Sequence, residues 1–166
     1  MKRVFSLFGI LFLATLAMAQ SDKRVLKFGG NVFFGNDKAE GVTVSIYDGN
    51  YLVSESKTSR NGKFSVDLAK DKHYTVQFEK DGFMTKRIVI DTEIGEDGKD
   101  NVKTFKFDVG LIKRESGKDY SILDFPIAII KYHAESNQFY YDNKYTEHML
   151  EAQKDIEKSE ARMASK

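Results

Sequence analysis

Short runs of alternating apolar and polar residues cover most of the chain between Val25 and Leu111. In the first run the apolar residues share one parity: Leu26, Phe28, Val32 and Phe34. This period of two is typical of a strand with one buried face. The alternation recurs over 42–47, 51–58, 64–68, 74–78, 83–90 and 105–111. The pattern therefore predicts seven short strands before Lys113.

The links between these runs carry turn signals rather than helices. Asp48-Gly49, Asn61-Gly62 and Asp81-Gly82 each place a glycine where a tight hairpin needs positive φ. Strands that follow one another without intervening helices favour antiparallel pairing. We therefore predict a mainly β fold, an antiparallel sandwich over residues 24–113.

The chain changes in character after Ser116-Gly117. Residues 114–141 are predicted to be a linker and an aromatic β-like segment, because 125–132 is apolar and 138–141 is aromatic. Residues 142–164 contain no Gly or Pro and are rich in Glu, Lys, Ala, Gln and Met, which predicts a charged helix capped by Asp142 or Asn143. A narrow stripe recurs along it at helical spacing: Tyr145, Met149, Ala152, Ile156, Ser159 and Met163.

Residues 1–19 have the pattern of an export signal. Lys2 and Arg3 precede the apolar run 4–16, which closes on the small-x-small sequence Ala17-Met-Ala19. A membrane-spanning helix is the competing interpretation, but the run is shorter than the roughly 20 residues that a bilayer requires. We expect cleavage before Gln20, a periplasmic or secreted product, and no transmembrane segment after cleavage.

Composition narrows the class of partner. Without residues 1–19 the chain has 147 residues, with 24 basic and 25 acidic side chains. This near-neutral balance argues against nucleic acid as a partner, because nucleic-acid binding requires a concentrated basic face.

The chain has no cysteine, so disulfides and lipid attachment through cysteine are excluded. A chain of this length buries roughly two thirds of its unfolded surface, enough for one core.

Several short motifs occur in an order that is more specific than any one of them: Gly30-x-Val32, Gly41-Val-Thr-Val44, Thr58 with Asn61-Gly-Lys-Phe64, Tyr74-x-Val76, and Gly82-Phe83 with Ile88 and Ile90. Together they resemble the carboxypeptidase regulatory-like domain over residues 25–112. The resemblance implies a seven-stranded Greek-key sandwich like that of transthyretin (prealbumin), and a module accessory to another protein. The segment 124–149 is similar to tails of Gram-negative envelope proteins that carry this sandwich.

The sequence presents no recognisable catalytic or metal motif. His73, His133 and His148 have no zinc-ligand spacing, and no serine lies in a nucleophile elbow. We therefore predict no catalytic residue, no metal site, no cofactor and no enzymatic activity. The acidic segment 91–100 allows two interpretations, a calcium loop or a solvated turn beside a strand edge. Its carboxylates are Asp91, Glu93, Glu96, Asp97 and Asp100.

Aromatic and apolar residues of the C-terminal segment are the leading functional candidates, because tyrosine suits protein interfaces. The predicted partner-binding residues are Tyr132, Phe139, Tyr140, Tyr141, Tyr145, Met149, Ile156 and Met163. The competing interpretation is that the rings dock this segment onto the sandwich.

The sequence thus predicts an exported, non-enzymatic binding or scaffolding module of the cell envelope. It would contact an envelope protein through a sheet edge and the C-terminal tail, with self-association through the helix as a further expectation. A carbohydrate or small-ligand binding module is the alternative.

Overall fold

The computed structural model describes residues 25–95 and 101–164, with side chains up to Ile156. The predicted signal at 1–19 and the candidate ligands Glu96, Asp97 and Asp100 lie outside these ranges. Within them the structure has eleven strands, a short 3₁₀ helix and one α-helix. Their bounds are β1 Val25–Phe34, β2 Asp37–Lys38, β3 Thr43–Asp48, β4 Tyr51–Lys57, β5 Lys63–Ala69, β6 His73–Glu79, β7 Lys86–Asp91, β8 Phe105–Lys106, β9 Val109–Gly110, the 3₁₀ helix Ser121–Asp124, β10 Ala128–His133, β11 Gln138–Tyr141 and α1 Asn143–Ala164.

The strands form two sheets that enclose one core. One sheet has the order β2-β1-β5, with β8 and β9 also paired to β1. The other has six strands in the order β11-β10-β7-β6-β3-β4. Inward side chains of both sheets are buried, as the alternation predicts; among them are Phe28, Val32, Val44, Val66, Leu68, Val76, Phe78, Ile88 and Ile90. The predicted mainly β sandwich with a C-terminal β-segment and helix is confirmed.

The hairpin at Asn61-Gly62 forms where the sequence places it. Gly62 has a φ of 67°, and a Cβ there would lie 2.6 Å from the carbonyl oxygen of Val32. Beside it, the buried Thr58 hydroxyl accepts from the Val42 amide at 2.9 Å and donates to the Ala39 carbonyl at 2.7 Å. These bonds fix the loop that closes this end of the sandwich.

Two predicted strands have different bounds in the structure. The run 105–111 is split into β8 and β9, because Phe107 lies between them and its amide donates to the Gly29 carbonyl at 2.9 Å. Both short strands pair with β1 in the parallel sense, so the sheets are mixed, whereas the sequence predicted antiparallel pairing throughout residues 24–113. The run 83–90 forms a strand only from Lys86, since Phe83 makes an isolated bridge to Lys113.

The C-terminal segment is built into the larger sheet. β10 pairs in parallel with β7, Ala128 opposite Ile88 and Ile130 opposite Ile90, and β11 then pairs antiparallel with β10. Ile130 is fully buried as a result. The sheet therefore contains two strands from residues that follow the predicted boundary at Ser116-Gly117.

Candidate functional site

The predicted aromatic group lies on β10, β11 and the first turn of α1, and most of it faces the protein. Phe139 is buried, with its ring 4.8 Å from that of Phe28 and 5.6 Å from that of Tyr132, both edge-on. The Tyr132 hydroxyl donates to Asn137 at 2.9 Å. Phe139 and Tyr132 thus anchor the β10–β11 hairpin to the core.

The other three rings differ in exposure. Tyr141 is half-buried and packs edge-on against Phe105 at 5.4 Å. Burial raises its pKa, and the negative charge of Asp108 adds to the effect. The half-buried Tyr145 donates from its hydroxyl to the Pro126 carbonyl at 2.7 Å. Tyr140 is the exposed member of the group, at 42%. The geometry supports docking of this segment onto the sandwich, and a partner contact through these residues stays a prediction.

Asp142 caps the helix, as one of the two predicted caps. Its carboxylate accepts from the Tyr145 amide at 3.3 Å and from Lys131 Nζ at 2.9 Å. The hydrogen bond from Lys131 and then that from the Tyr145 amide lower the pKa of Asp142. The hydrogen bond to Asp142 and the negative charge of Asp142 in turn raise the pKa of Lys131. A lowered aspartate pKa means that the stabilisation is present above the ordinary aspartate pKa and is lost as the pH falls through the lowered value. The cap therefore weakens in acid.

The helix stripe is turned toward the sandwich where the structure describes it. Met149 is buried and Ile156 packs partly buried against the core. Gln153 of the same helix accepts a hydrogen bond through its side-chain oxygen from Lys86, which is fully buried on β7. The side chain of Met163 lies outside the described part. Met149 and Ile156 thus attach α1 to its own sheet.

A recess of about 340 Å³ lies between α1 and the sandwich. Its residues are Ile88, Asp108, Ile127, Ala128, Tyr141, Asn143, Thr146, Glu147 and Leu150. Thr146 Oγ1 is buried there and has no hydrogen-bond partner. A mainly apolar recess with a few polar groups is the usual form of a small-molecule site. The sequence did not disclose it, because its residues come from four separate segments.

A larger cavity of about 690 Å³ opens at one end of the sandwich. Its charged residues are Lys57, Glu79, Lys80, Asp81 and Arg114. Charges of both signs line it, and Lys80 Nζ donates to the Glu40 carbonyl at 2.7 Å. This balance indicates no preference for an acidic or a basic ligand.

Three side chains of metal-ligand type meet where β6 begins and β7 ends. His73, Asp91 and Glu93 each offer one ligand atom, and these atoms lie within 4.8 Å of one another. In the sequence Asp91 and Glu93 belong to the acidic segment 91–100, and no spacing motif connects them with His73. The pairing of β6 with β7 would have brought His73 into this group, because His73 lies directly opposite Asp91.

Strand β4 is the exposed edge of the six-stranded sheet. Its one neighbour is β3, and all seven of its residues are exposed. Tyr51, Leu52 and Val53 are exposed to 81%, 53% and 55%. Backbone amide and carbonyl groups on the free side of such a strand are available to another strand.

As for membrane contact, no helix within residues 25–95 and 101–164 combines the length and the apolar character of a bilayer-crossing segment.

Comparison with known proteins yields likenesses of fold. The chain matches no protein-family model and no curated protein. Among solved structures, a mutant of Acinetobacter radioresistens catechol 1,2 dioxygenase is 13% identical, with a TM-score of 0.44 over 60% of this chain and 55% of that one. Klebsiella pneumoniae 5-hydroxyisourate hydrolase is 17% identical, with a TM-score of 0.38 over 54% and 99%. The major pilin subunit of Bacillus cereus is 18% identical, with a TM-score of 0.41 over 54% and 29%. The chain thus spans about half of the dioxygenase and less than a third of the pilin.

These neighbours correct one expectation. The prediction that the protein is not an enzyme is contradicted, because dioxygenases and a hydrolase are among the structures of similar fold. The likeness concerns the fold alone and does not demonstrate an activity.

Proposed function

We propose that the protein is an exported binding or scaffolding module of the bacterial cell envelope, which takes up an extended strand of a partner protein at β4. The observation that carries this proposal is the exposure of all seven residues of β4 at the edge of a six-stranded sheet. We also propose that residues 25–112 form a domain of the carboxypeptidase regulatory-like type. The location would be periplasmic or secreted, because residues 1–19 have the pattern of an export signal.

Exposed apolar side chains on an edge strand require an explanation. Edge strands are commonly protected by proline, by a bulge or by charged side chains, because free backbone groups invite pairing. β4 contains no proline, and its charged residues, Glu55 and Lys57, lie in its second half. One bulge interrupts its pairing with β3 at Val53, which leaves Tyr51 and Leu52 as the regularly paired apolar positions of this edge. Its first half carries Tyr51, Leu52 and Val53. This half is therefore suited to bind a strand with apolar side chains.

The edge strand β5 of the other sheet provides a contrast. Its apolar residues Phe64, Val66 and Leu68 are buried, and Lys63, Ser65 and Asp67 between them are exposed. Its outward surface is polar, as expected of a protected edge. The two edges thus differ in the chemistry that they offer to a partner strand.

We expect a photoreactive amino acid at Val53 to crosslink a partner in intact cells. Strand addition brings the partner backbone to within about 5 Å of β4, so the adduct should form at one discrete mass. The combined substitution Tyr51→Lys and Leu52→Lys should reduce the yield at least about tenfold, because lysine on an edge opposes strand pairing. The measurement is the mass and yield of the crosslinked product.

The control carries the same photoreactive group at Ser65 on β5, where we expect no discrete adduct. Because the substituted side chains are exposed, urea unfolding of the lysine variant should match that of the parent within about 0.5 kcal/mol. Equal adducts at positions 53 and 65, or a yield unaffected by the lysines, would contradict the proposal. A product of twice the chain mass would show that β4 pairs with a second copy rather than with another protein.

A small-ligand module is the second candidate, and the recess beneath α1 favours it. The aliphatic side chains of Ile88, Ile127 and Leu150 form its apolar part. Thr146 Oγ1 is a buried group without a partner, and a rotation of the threonine side chain would present it to a ligand hydroxyl or amine. The ligand class is therefore a small molecule with an apolar body and one polar end.

Binding in this recess should raise the midpoint of thermal unfolding by a few degrees, because a ligand that binds only the folded state stabilises it. The measurement is a thermal unfolding screen against small alcohols, amines, sugars and calcium. Leu150→Trp at the half-exposed rim should abolish the shift for any molecule that binds there, while Tyr140→Trp should preserve it. A shift that survives Leu150→Trp places the ligand elsewhere, and no shift across the panel removes this candidate.

A further inference from the structure

We propose that His73, Asp91 and Glu93 form a binding site for a single divalent transition-metal ion, best suited to Zn²⁺. The three side chains bring one imidazole nitrogen and two carboxylate oxygens to within 4.8 Å of one another. His73 begins β6 and Asp91 ends β7, and the two residues are paired directly across the antiparallel ladder. Cross-strand neighbours on one face have Cβ atoms about 5 Å apart, which is within reach of a shared ion.

The backbone that carries the two carboxylates is held in place by the residue between them. Thr92 is fully buried, and its hydroxyl accepts from the Lys72 amide at 3.0 Å and lies 2.9 Å from the Ala69 carbonyl oxygen. Its own amide and carbonyl bond to Lys72 and Asp71 at 2.8 and 2.9 Å. Since alternate residues of an extended chain point to the same side, a fixed Thr92 directs Asp91 and Glu93 together.

The orientation of the ligand atoms is compatible with a shared ion. Asp91 Oδ1 accepts from the Glu93 amide at 3.0 Å, and its other oxygen, Oδ2, lies 3.7 Å from His73 Nε2. Glu93 Oε1 lies 4.0 Å from the other ring nitrogen, Nδ1, so a shared ion requires the exposed Glu93 or His73 side chain to turn. The side chains of His73 and Glu93 are 62% and 65% exposed. Rotation of these exposed side chains can move their ligand atoms by the roughly 1 Å needed to place all three at about 2.0–2.2 Å from a zinc ion.

The charge of the cluster favours a cation. Two carboxylates face one imidazole, and no lysine or arginine nitrogen in residues 25–95 and 101–164 lies within the 4.0 Å ion-pair distance of either carboxylate. Lys131 interacts with Asp91 at longer range, and its ammonium group is paired with Asp142. Lys72, the nearest lysine in sequence to His73, is instead paired with Asp48. A divalent ion would neutralise this concentration of negative charge.

The ligand set selects the kind of metal. Calcium and magnesium prefer oxygen ligands alone, and calcium takes six to eight of them. An imidazole with two carboxylates suits zinc and neighbouring transition metals. Three protein ligands leave a coordination position for water or for a side chain of another molecule. The site is thus distinct in place and chemistry from the β4 edge, and it does not depend on the proposed function.

The test is calorimetric titration of the protein with ZnCl₂ in a buffer that does not bind metals, at about pH 7.5, where imidazole is largely neutral. We expect one saturable site per chain. His73→Gln, Asp91→Asn and Glu93→Gln should each weaken binding at least about tenfold. CaCl₂ and MgCl₂ at the same concentrations should give no saturable heat.

Matched controls are His133→Gln and His148→Gln, which remove exposed histidines outside the cluster and should leave zinc affinity unchanged. All five substitutions are at partly or fully exposed positions, so far-ultraviolet circular dichroism should show an unchanged fold. Zinc binding that is lost in either control but kept in His73→Gln would overturn the proposal. Several weak sites without saturation, equal affinity for calcium, or no zinc binding would overturn it as well.

Discussion

Replacement of Gly30 by alanine is expected to lower the free energy of unfolding by about 4 kcal/mol or more, or to prevent folding. A Cβ at this position would lie 1.6 Å from the carbonyl oxygen of Phe107 and 2.7 Å from its carbonyl carbon. Both are backbone atoms, so no side-chain rotation relieves the overlap. Separation of the two segments would break the parallel pairing of β1 with β8 and β9 and would open the core at Phe107.

Gly110→Ala is the matched control, because a Cβ there meets nothing within 4 Å and Gly110 also lies in a strand that pairs with β1. It should change stability by no more than about 0.5 kcal/mol. Urea unfolding followed by circular dichroism measures both variants. A Gly30→Ala protein as stable as the Gly110→Ala protein would show that the Phe107 carbonyl does not lie against Gly30 as described.

Truncation after Gly117 is expected to remove stable folding altogether. The deletion uncovers the edge of β7 and removes a set of buried side chains: Leu123, Ile127, Ala128, Ile130, Phe139 and Met149. A single buried leucine or phenylalanine already contributes about 2–5 kcal/mol, while a domain is stable by only about 5–15 kcal/mol. The sandwich residues 25–112 therefore depend on the strands that follow them.

Point variants separate a structural role of this segment from a role in partner binding. Phe139→Ala should cost about 3–5 kcal/mol, because its ring packs on Phe28 and Tyr132. Tyr140→Ala, one residue away and exposed, should cost less than about 0.5 kcal/mol. Urea unfolding and size-exclusion chromatography report the outcome. A truncated chain that unfolds cooperatively with parental stability would contradict the integration of β10 into the sheet.

Truncation after Gly117 is consequently a poor test of whether the C-terminal segment binds a partner. A protein that has lost β10 and β11 would fail to bind for structural reasons alone. The edge strand β4 allows a cleaner test, because its exposed side chains can be changed while the core stays intact. The crosslinking experiment at Val53 therefore tests the function, and the truncation tests the fold.

The strands that are built from local signals were predictable. β5 and β6 show clean alternation, and Gly62 supplies the positive φ that its hairpin requires. The helix was predictable from its composition and from Asp142, whose carboxylate accepts the Tyr145 amide. These features depend on neighbours within a few residues, so a linear pattern contains the information that specifies them.

The candidate sites were less predictable, since their residues meet through long-range pairing. His73 and Asp91 are separated along the chain and adjacent across a ladder. The recess beneath α1 combines Ile88 of β7, Asp108, residues 127–128 and the segment 141–150. The tyrosines were recognised as candidates, yet their aromatic character is equally compatible with an interface and with a core. Burial distinguishes the two for Phe139 and for Tyr140, which are neighbours in sequence and lie on opposite faces of β11.

By itself the sequence determined that this chain forms short strands, tight glycine turns and one charged terminal helix, because backbone sterics and the alternation of side chains act over a few residues. The tertiary structure decided which strands became neighbours. It placed β10 in parallel beside β7, left β4 exposed at an edge, brought the Phe107 carbonyl against Gly30, and gathered His73 with two carboxylates. Each of these outcomes depends on the closure of long loops around a shared core, and no local pattern encodes which surfaces that closure will bury.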